Sequence, residues 1–453
     1  MDNKFLDKSS YVRVPVSEVK IGMFVAELDR SWLGTPFLTQ GFVVSGLSEI
    51  KKLRELCDYV YVEKQGRLWA GKKDPFSKDA ERLNTATPFK SQSLETGIFS
   101  QKGNQKQSLA LTIGERKAHE PTSTIVEEHK FARKIYSDAR KMMARLLKQA
   151  RLDNQIDVQL AQKLVAGFVH SILRNPDALL WMTKVKEPKQ YLLEHCLHVS
   201  IHAINFGRVL RLEEKDMMRV GLQGLLSDLG MIRVPLEILY KQGALTDEES
   251  ELMQKHPMLG RDLLMNSKDG GRYASDSVIN HHERFDSKGY PRGLAANTLP
   301  QTSRIISIID AYDAMVSPRV YAEGKTPLQA LQQIYRNRGK QFDEDFALEF
   351  IHAIGPYPPG SIVELKNGCV GIVLKSDPKY RQLPQLSVVL DSEKNPQQAK
   401  IVDLLALDKA GESKEYLIQK VLKNGDFGID LKDFTVTTLF SSAEGTSELN
   451  DIA

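Results

Sequence analysis

Two adjacent imidazoles, His281 and His282, open the stretch HHERFDSKGYP at residues 281–291. Neighbouring side chains on a helix diverge by about 100°. The pair is therefore poorly placed to chelate one ion, but it can address two ions, or one ion and a substrate. Gly289 permits a backbone turn that Pro291 stiffens, which sets Tyr290 at the rim. Alone, such a pair is as readily a hydrogen-bonded core element. Here it has company: His195, Asp228 in LLSDLG and His256 in MQKHPMLG precede it, and Asp310 in IIDAYDA comes after it. Six of the ten histidines fall between His195 and His282. Acids and imidazoles in this mixture are the ligand set for two hard or borderline divalent ions.

From about Lys130 to Gly355 the chain carries SILRNPDALL, YLLEHCLHVS, GLLSDLGMIRVPLEIL, GALTDEESELMQKHPMLG, NHHERFDSKGYPRGL and SRIISIIDAYDAMVSPRVY in order. In these words and their spacing it resembles the HD-GYP family, bacterial metal-dependent phosphodiesterases that cleave cyclic di-GMP. The resemblance implies a two-ion centre, iron or manganese, whose ions share the aspartate of a His-Asp doublet and activate water against phosphorus. Carried over by motif, His195, Asp228 and Asp310 would serve one ion. Asp228, His256 and His281 or His282 would serve the other. Gly289, Tyr290, Pro291 and Arg319 would meet the substrate, with a stacking ring and a guanidinium for a guanine nucleotide. Some members hold a third ion through a glutamate four residues before the first histidine; here that residue is Tyr191, so no more than two ions are expected.

The departures bear directly on the chemistry. Ser227 stands where the doublet should supply its histidine, and a neutral hydroxyl is a poor ligand for iron or manganese. One of the two ion sites is therefore expected at reduced occupancy. Met231 replaces the lysine that would bond the phosphate and protonate the leaving oxygen, a loss commonly worth roughly 10²–10⁴ in rate. Ala322 replaces a basic residue, and Ser287 replaces the first glycine of the DGxGYP word. The catalytic positions Asp228, Ser227 and Met231 thus predict an impaired or inactive phosphodiesterase. The contrasting expectation is a non-catalytic receptor for cyclic di-GMP or a related cyclic dinucleotide, or a module whose GYP surface contacts a signalling protein such as a diguanylate cyclase. His198 and His202 share a helical face with His195; local packing is favoured for both over a surrogate ligand role. Asp313, one turn past Asp310, is expected behind the ligands rather than among them. Cys196 reads as a small buried residue.

The elements that must hold these residues are mainly helical. Apolar positions recur at three- and four-residue steps from Ile125 (Phe131, Ile135, Ala139, Met142, Met143, Leu146, Leu147) and again over Val158 to Leu173. Asn175-Pro176 marks a stop, with Asp177 able to cap the next helix. The expected fold is mainly α: a central all-α HD-type domain over 125–355, a small N-terminal α+β module over 1–65, and a small C-terminal β extension over 356–440. A flexible, basic-tilted linker over 66–124 and a polar tail over 441–453 complete the division. The N-terminal words GMFVAELDRSW and PF…QGF resemble an uncharacterised module that often precedes HD-GYP domains, with sensing, docking or homodimer formation as its remaining roles.

A chain of 453 residues exceeds one compact core, and a net charge of +4 gives no support to a DNA partner. Cys57, Cys196 and Cys369 are odd in number and far apart, which argues against a disulfide framework and for a reducing compartment. No run approaches 18 apolar residues and the start lacks a signal-peptide core, so a cytoplasmic location without a membrane span is expected.

Overall fold

The structure is a computed structural model that describes residues 11–20, 23–29, 42–44, 47–63, 111, 113, 118–184, 190–267, 278–318, 324–377, 380–411, 415–434 and 438–439. The tail 441–453, most of the segment 66–124 and all of the word PF…QGF except Phe42 lie outside these residues. The chain divides into two compact units.

In the N-terminal unit, β1 (Tyr11–Pro15), β2 (Phe24–Leu28), β3 (Phe42–Val43) and β4 (Tyr59–Glu63) form a sheet of order β1-β4-β2-β3 with α1 (Leu47–Leu56). Strand β4 lies antiparallel between β1 and β2, with Tyr11 opposite Glu63 and Val25 opposite Val62. Val25, Val44, Leu53 and Val60 are fully buried and form a separate small core.

The larger unit is helical where the metal-ligating residues fall. Its helices are α2 (Ile125–Asp153), α3 (Val158–Arg174), α4 (Pro176–Met182), α5 (Tyr191–Val209) and α6 (Glu214–Leu226), then α7 (Leu236–Leu239), α8 (Asp247–Met253) and α9 (His256–Met265). Helices α10 (Gln301–Val316), α11 (Pro327–Asn337) and α12 (Glu344–Ile354) complete the bundle. Local chemistry fixes the boundaries. Thr124 and Glu127 form a reciprocal capping box at the start of α2, and left-handed Asn154 ends it. A cap of this kind contributes about 0.5–2 kcal/mol. At the α3–α4 junction the cap is Asn175, whose side chain accepts from Asp177 N–H with Pro176 in the first turn. Asp177 is thus inside the helix, not its cap, because the residue before a proline is extended and its amide oxygen faces the new turn.

The buried stripe of α2 is Ala132, Tyr136, Ala139, Met143, Leu146 and Ala150. Phe131, expected inward, is 60% exposed and lies under the Arg174 guanidinium. Small alanines pack the closest approach, which periodicity of large apolar residues understates. The end of the supposed linker is also packed. Leu111 and Ile113 are buried in the helical core, Leu111 N–H donates to Gln301 Oε1, and His119 Nε2 bonds Leu212 O.

Past Pro359, β5 (Ile362–Leu365), β6 (Val370–Lys375), β7 (Gln385–Leu390) and β8 (Pro396–Asp403) pair antiparallel in sequence. The β5–β6 turn contains Gly368 at φ +85°. Val370, Ile372 and Leu374 point one way along β6 and join the helical core. Among the described residues no helix is long and apolar enough to cross a membrane.

Candidate metal centre

Five segments converge on the site. His195 sits in the second turn of α5, and Asp228 lies just past the end of α6 at the entry to a 3-10 turn, Leu229–Arg233. His256 begins α9, His281 and His282 come directly after the residues Val278–Asn280, and Asp310 lies in the middle of α10. The turn and α9 meet at their backbones. A Cβ on Gly230 would fall 1.9 Å from His256 O and 2.4 Å from Gly260 N, so only glycine permits this approach.

The side chains form two clusters that share Asp228. In one, His195 Nε2 lies 2.9 Å from Asp310 Oδ1 and 3.0 Å from Asp228 Oδ2. In the other, Asp228 Oδ1 lies 3.1 Å from His256 Nε2 and 3.3 Å from His281 Nε2. His256 Nε2 is 3.2 Å from His281 Nε2 and 3.1 Å from His282 Nε2. The candidate ligand atoms of each cluster all lie within 4.8 Å of one another. All of these residues are buried except the half-buried His282.

These residues fit a divalent ion by their own chemistry. His256 Nδ1 bonds Met253 O at 2.7 Å and His281 Nδ1 bonds Val278 O at 2.5 Å. Carbonyls only accept, so both rings carry their proton on Nδ1 and turn unprotonated Nε2 atoms toward each other. Asp228 Oδ1, in their midst, accepts no well-directed hydrogen bond. Converging lone pairs with no donor among them are costly in a buried site unless a cation takes them. Their spacing also matches ligands about 3.0–3.4 Å apart around one ion at about 2.1 Å.

Burial opposes ionisation of Asp228, but the imidazoles of His195, His256 and His281 around it hold its carboxyl well below the usual range. Burial likewise opposes charge on His195, yet Tyr191, Asp228, Asp310 and Asp313 carry it well above an ordinary imidazole. Desolvation and the neighbouring His281 and His256 hold His282 well below that value, keeping it a neutral donor. Burial, then Asp310 and Asp228, push the Tyr290 phenol up, so its ring is neutral.

Ser227 Oγ–H donates to Gly224 O at 3.0 Å, back into the last turn of α6. Met231 lies half-buried in the 3-10 turn, where a thioether offers no proton. Tyr191 stacks on His195 with ring centroids 5.5 Å apart at 9°. His198 bonds Tyr136 and His202 packs edge-on against Tyr312, so both are engaged locally, and Cys196 is fully buried.

The GYP loop is pinned to its own start. Buried Glu283 accepts Arg292 N–H at 2.7 Å and Leu294 N–H at 2.9 Å, while Arg292 also bonds Asn280. Arg284 and Asp286 pair through two bonds of 2.8–2.9 Å, which lowers the Asp286 carboxyl to about 2. A Cβ on Gly289 would fall 2.4 Å from Arg284 N and 2.6 Å from His282 O. The close approach lays Tyr290 over His282, centroids 4.7 Å apart at 30°, and the Tyr290-Pro291 peptide is cis. Arg319 and Ala322 lie outside the described residues.

Ser287 occupies φ +62°, the left-handed region that glycine would take without penalty. Ser287→Gly is therefore expected to stabilise the protein by about 0.5–1 kcal/mol after the entropy cost of glycine. Urea unfolding measures it, and a destabilised variant would contradict it.

Sequence reasoning missed Glu283 and Gly230. Glu283 acts through backbone N–H groups and Gly230 through an absent side chain, and neither carries a spacing signal. The HHE word was the only trace of the former.

Residues 177–346 match the HD domain family, and residues 11–161 match a family described as a domain of unknown function. The HD domain family is metal-dependent, in keeping with the two clusters. A cyclic di-GMP phosphodiesterase of Pseudomonas aeruginosa is 30% identical over 394 residues, covering 86% of this chain and 88% of that protein. A cyclic di-GMP phosphodiesterase response regulator of Xanthomonas campestris pv. campestris is 31% identical over 206 residues, 44% of this chain and 54% of that one. A solved HDG"Y"P protein from Bdellovibrio bacteriovorus aligns over 75% of this chain and 98% of its own, with 16% identity and a TM-score of 0.42.

Proposed function

This chain belongs to the HD-GYP family, and from that premise we propose that it holds divalent metal and binds a cyclic dinucleotide, cyclic di-GMP, while hydrolysing it very slowly or not at all. The observation that carries the impairment is the bond from Ser227 Oγ to Gly224 O. It commits the hydroxyl to the helix and leaves His195, Asp228 and Asp310 as the ligands of the first cluster.

Bound divalent ions supply Lewis acidity toward the phosphodiester and activation of water. The remaining roles belong to side chains. Asp228, His256, His281 and His282 hold one ion, with iron or manganese suited to this nitrogen and oxygen set. Tyr290 offers a neutral half-buried ring against His282 for a guanine, held there by Glu283 and the Gly289 approach. Arg319, carried over by motif, is assigned to a phosphate. Where a general acid should stand, Met231 has no proton to give to the leaving oxygen.

A receptor needs the metal-held pocket but neither a fourth ligand at Ser227 nor a donor at Met231. Retention of the second cluster and of the pinned GYP loop favours that role, with the loop surface available to a signalling partner such as a diguanylate cyclase.

Calorimetric titration tests the binding reading. Cyclic di-GMP is expected to bind in the presence of Mn²⁺ and to bind at least about tenfold more weakly, 1.4 kcal/mol, after chelation. Absence of binding in both conditions would overturn it.

A further inference from the structure

A line of buried contacts runs from α2 to the metal centre. The Tyr136 hydroxyl lies 2.8 Å from His198 Nε2, a hydrogen bond, and the two rings lie nearly parallel, 16° apart. With the Tyr136 hydroxyl as donor the His198 proton sits on Nδ1, which lies 3.4 Å from Asp313 Oδ1, an ion-pair distance and not a well-directed hydrogen bond. Asp313 is fully buried, and its other oxygen accepts His195 Nδ1–H at 2.7 Å and Ser317 Oγ–H at 3.0 Å. The line places the proton of both imidazoles on Nδ1. Its end result is that His195 turns Nε2, and not Nδ1, toward Asp228 and Asp310.

We infer that Tyr136 and His198 are positioning residues for His195, acting through Asp313, and that they tie α2 to the affinity of the first ion site. Neither ring belongs to a metal cluster. The inference rests on the metal-binding reading above. It has more weight here than in a complete site, because among the described residues three histidine and aspartate side chains, His195, Asp228 and Asp310, form the first cluster, so a tilt of His195 moves one of three ligands. Groups that orient a metal-bound histidine from behind typically contribute about 10–100-fold to metal affinity.

The test is Mn²⁺ binding to the full chain, by equilibrium dialysis with elemental analysis. Tyr136→Phe removes only the hydroxyl, and His198→Gln breaks the same line at its next member. Each is expected to weaken the more loosely held Mn²⁺ about tenfold. Ser171→Ala is the comparison: it removes the 2.6 Å bond to Glu128 that joins α3 to α2, outside this line. It is expected to lower the unfolding midpoint without changing Mn²⁺ affinity. Unchanged affinity in Tyr136→Phe and His198→Gln would overturn the inference and leave the metal-binding reading standing. Equal weakening in all three variants would reduce the line to general packing and overturn it as well. A wild-type protein that takes up no Mn²⁺ would overturn both.

Discussion

Ser227→His combined with Met231→Lys is expected to raise the rate of cyclic di-GMP hydrolysis by at least about 10²-fold. Each change returns a distinct function to one transition state. The imidazole next to Asp228 would add a strong donor to a cluster that now has three, and losing even an outer-shell partner costs about 10–100-fold in metal affinity. The lysine would place an acid near the leaving oxygen, an effect worth roughly 10²–10⁴. The two gains need not multiply, since both serve the same step, and either single variant is expected to recover less than the pair. Product formation in Mn²⁺ measures the rate. A double variant that binds a second ion and still makes no product would place the defect elsewhere, with Ala322 the first position to restore.

Gly230→Ala carries the largest expected structural effect. The new methyl would fall 1.9 Å from His256 O and 2.4 Å from Gly260 N, both backbone atoms that no rotamer change can remove. The 3-10 turn and α9 must separate, and His256 begins α9. Forcing atoms into a packed contact costs typically about 1–3 kcal/mol, and a clash with backbone belongs at or above the upper end. A loss of about 3 kcal/mol in urea unfolding is expected, with more than about tenfold weaker Mn²⁺ binding as His256 leaves Asp228. Gly260→Ala meets Val278 Cγ1 at 3.0 Å and Gly230 N at 3.2 Å, and so should cost less. A Gly230→Ala protein with normal stability and metal content would show that the turn and α9 are free to slide.

Much of this centre is legible in the sequence because its parts are side chains of unusual type. His195, Asp228, His256, His281, His282 and Asp310 are named by chemistry and by motif, and the structure brings all six together. The helical character of the domain shows in the apolar periodicity of α2 and α3, which pack beside the helices that carry the ligands. The features that the sequence conceals are carried by backbone and by small residues. Glu283 works by accepting two N–H groups from its own loop, and Gly230 by leaving room for a carbonyl. Ala132, not Phe131, faces the core of α2, since close helix packing selects small residues that a hydrophobicity pattern ranks low. Leu111 and Ile113 sit in a polar stretch too short to show a period, yet both are buried. The line from Tyr136 to His195 spans α2, α5 and α10, and no local spacing announces it.

Single-turnover hydrolysis tests the central claim most directly, with the wild-type chain in excess over labelled cyclic di-GMP and saturated with Mn²⁺. The expected result is bound and intact nucleotide, cleaved at least about 10²-fold more slowly than by the Ser227→His, Met231→Lys protein. Wild-type cleavage at the rate of that double variant would contradict it, and would mean that three ligands and no lysine suffice for this chemistry.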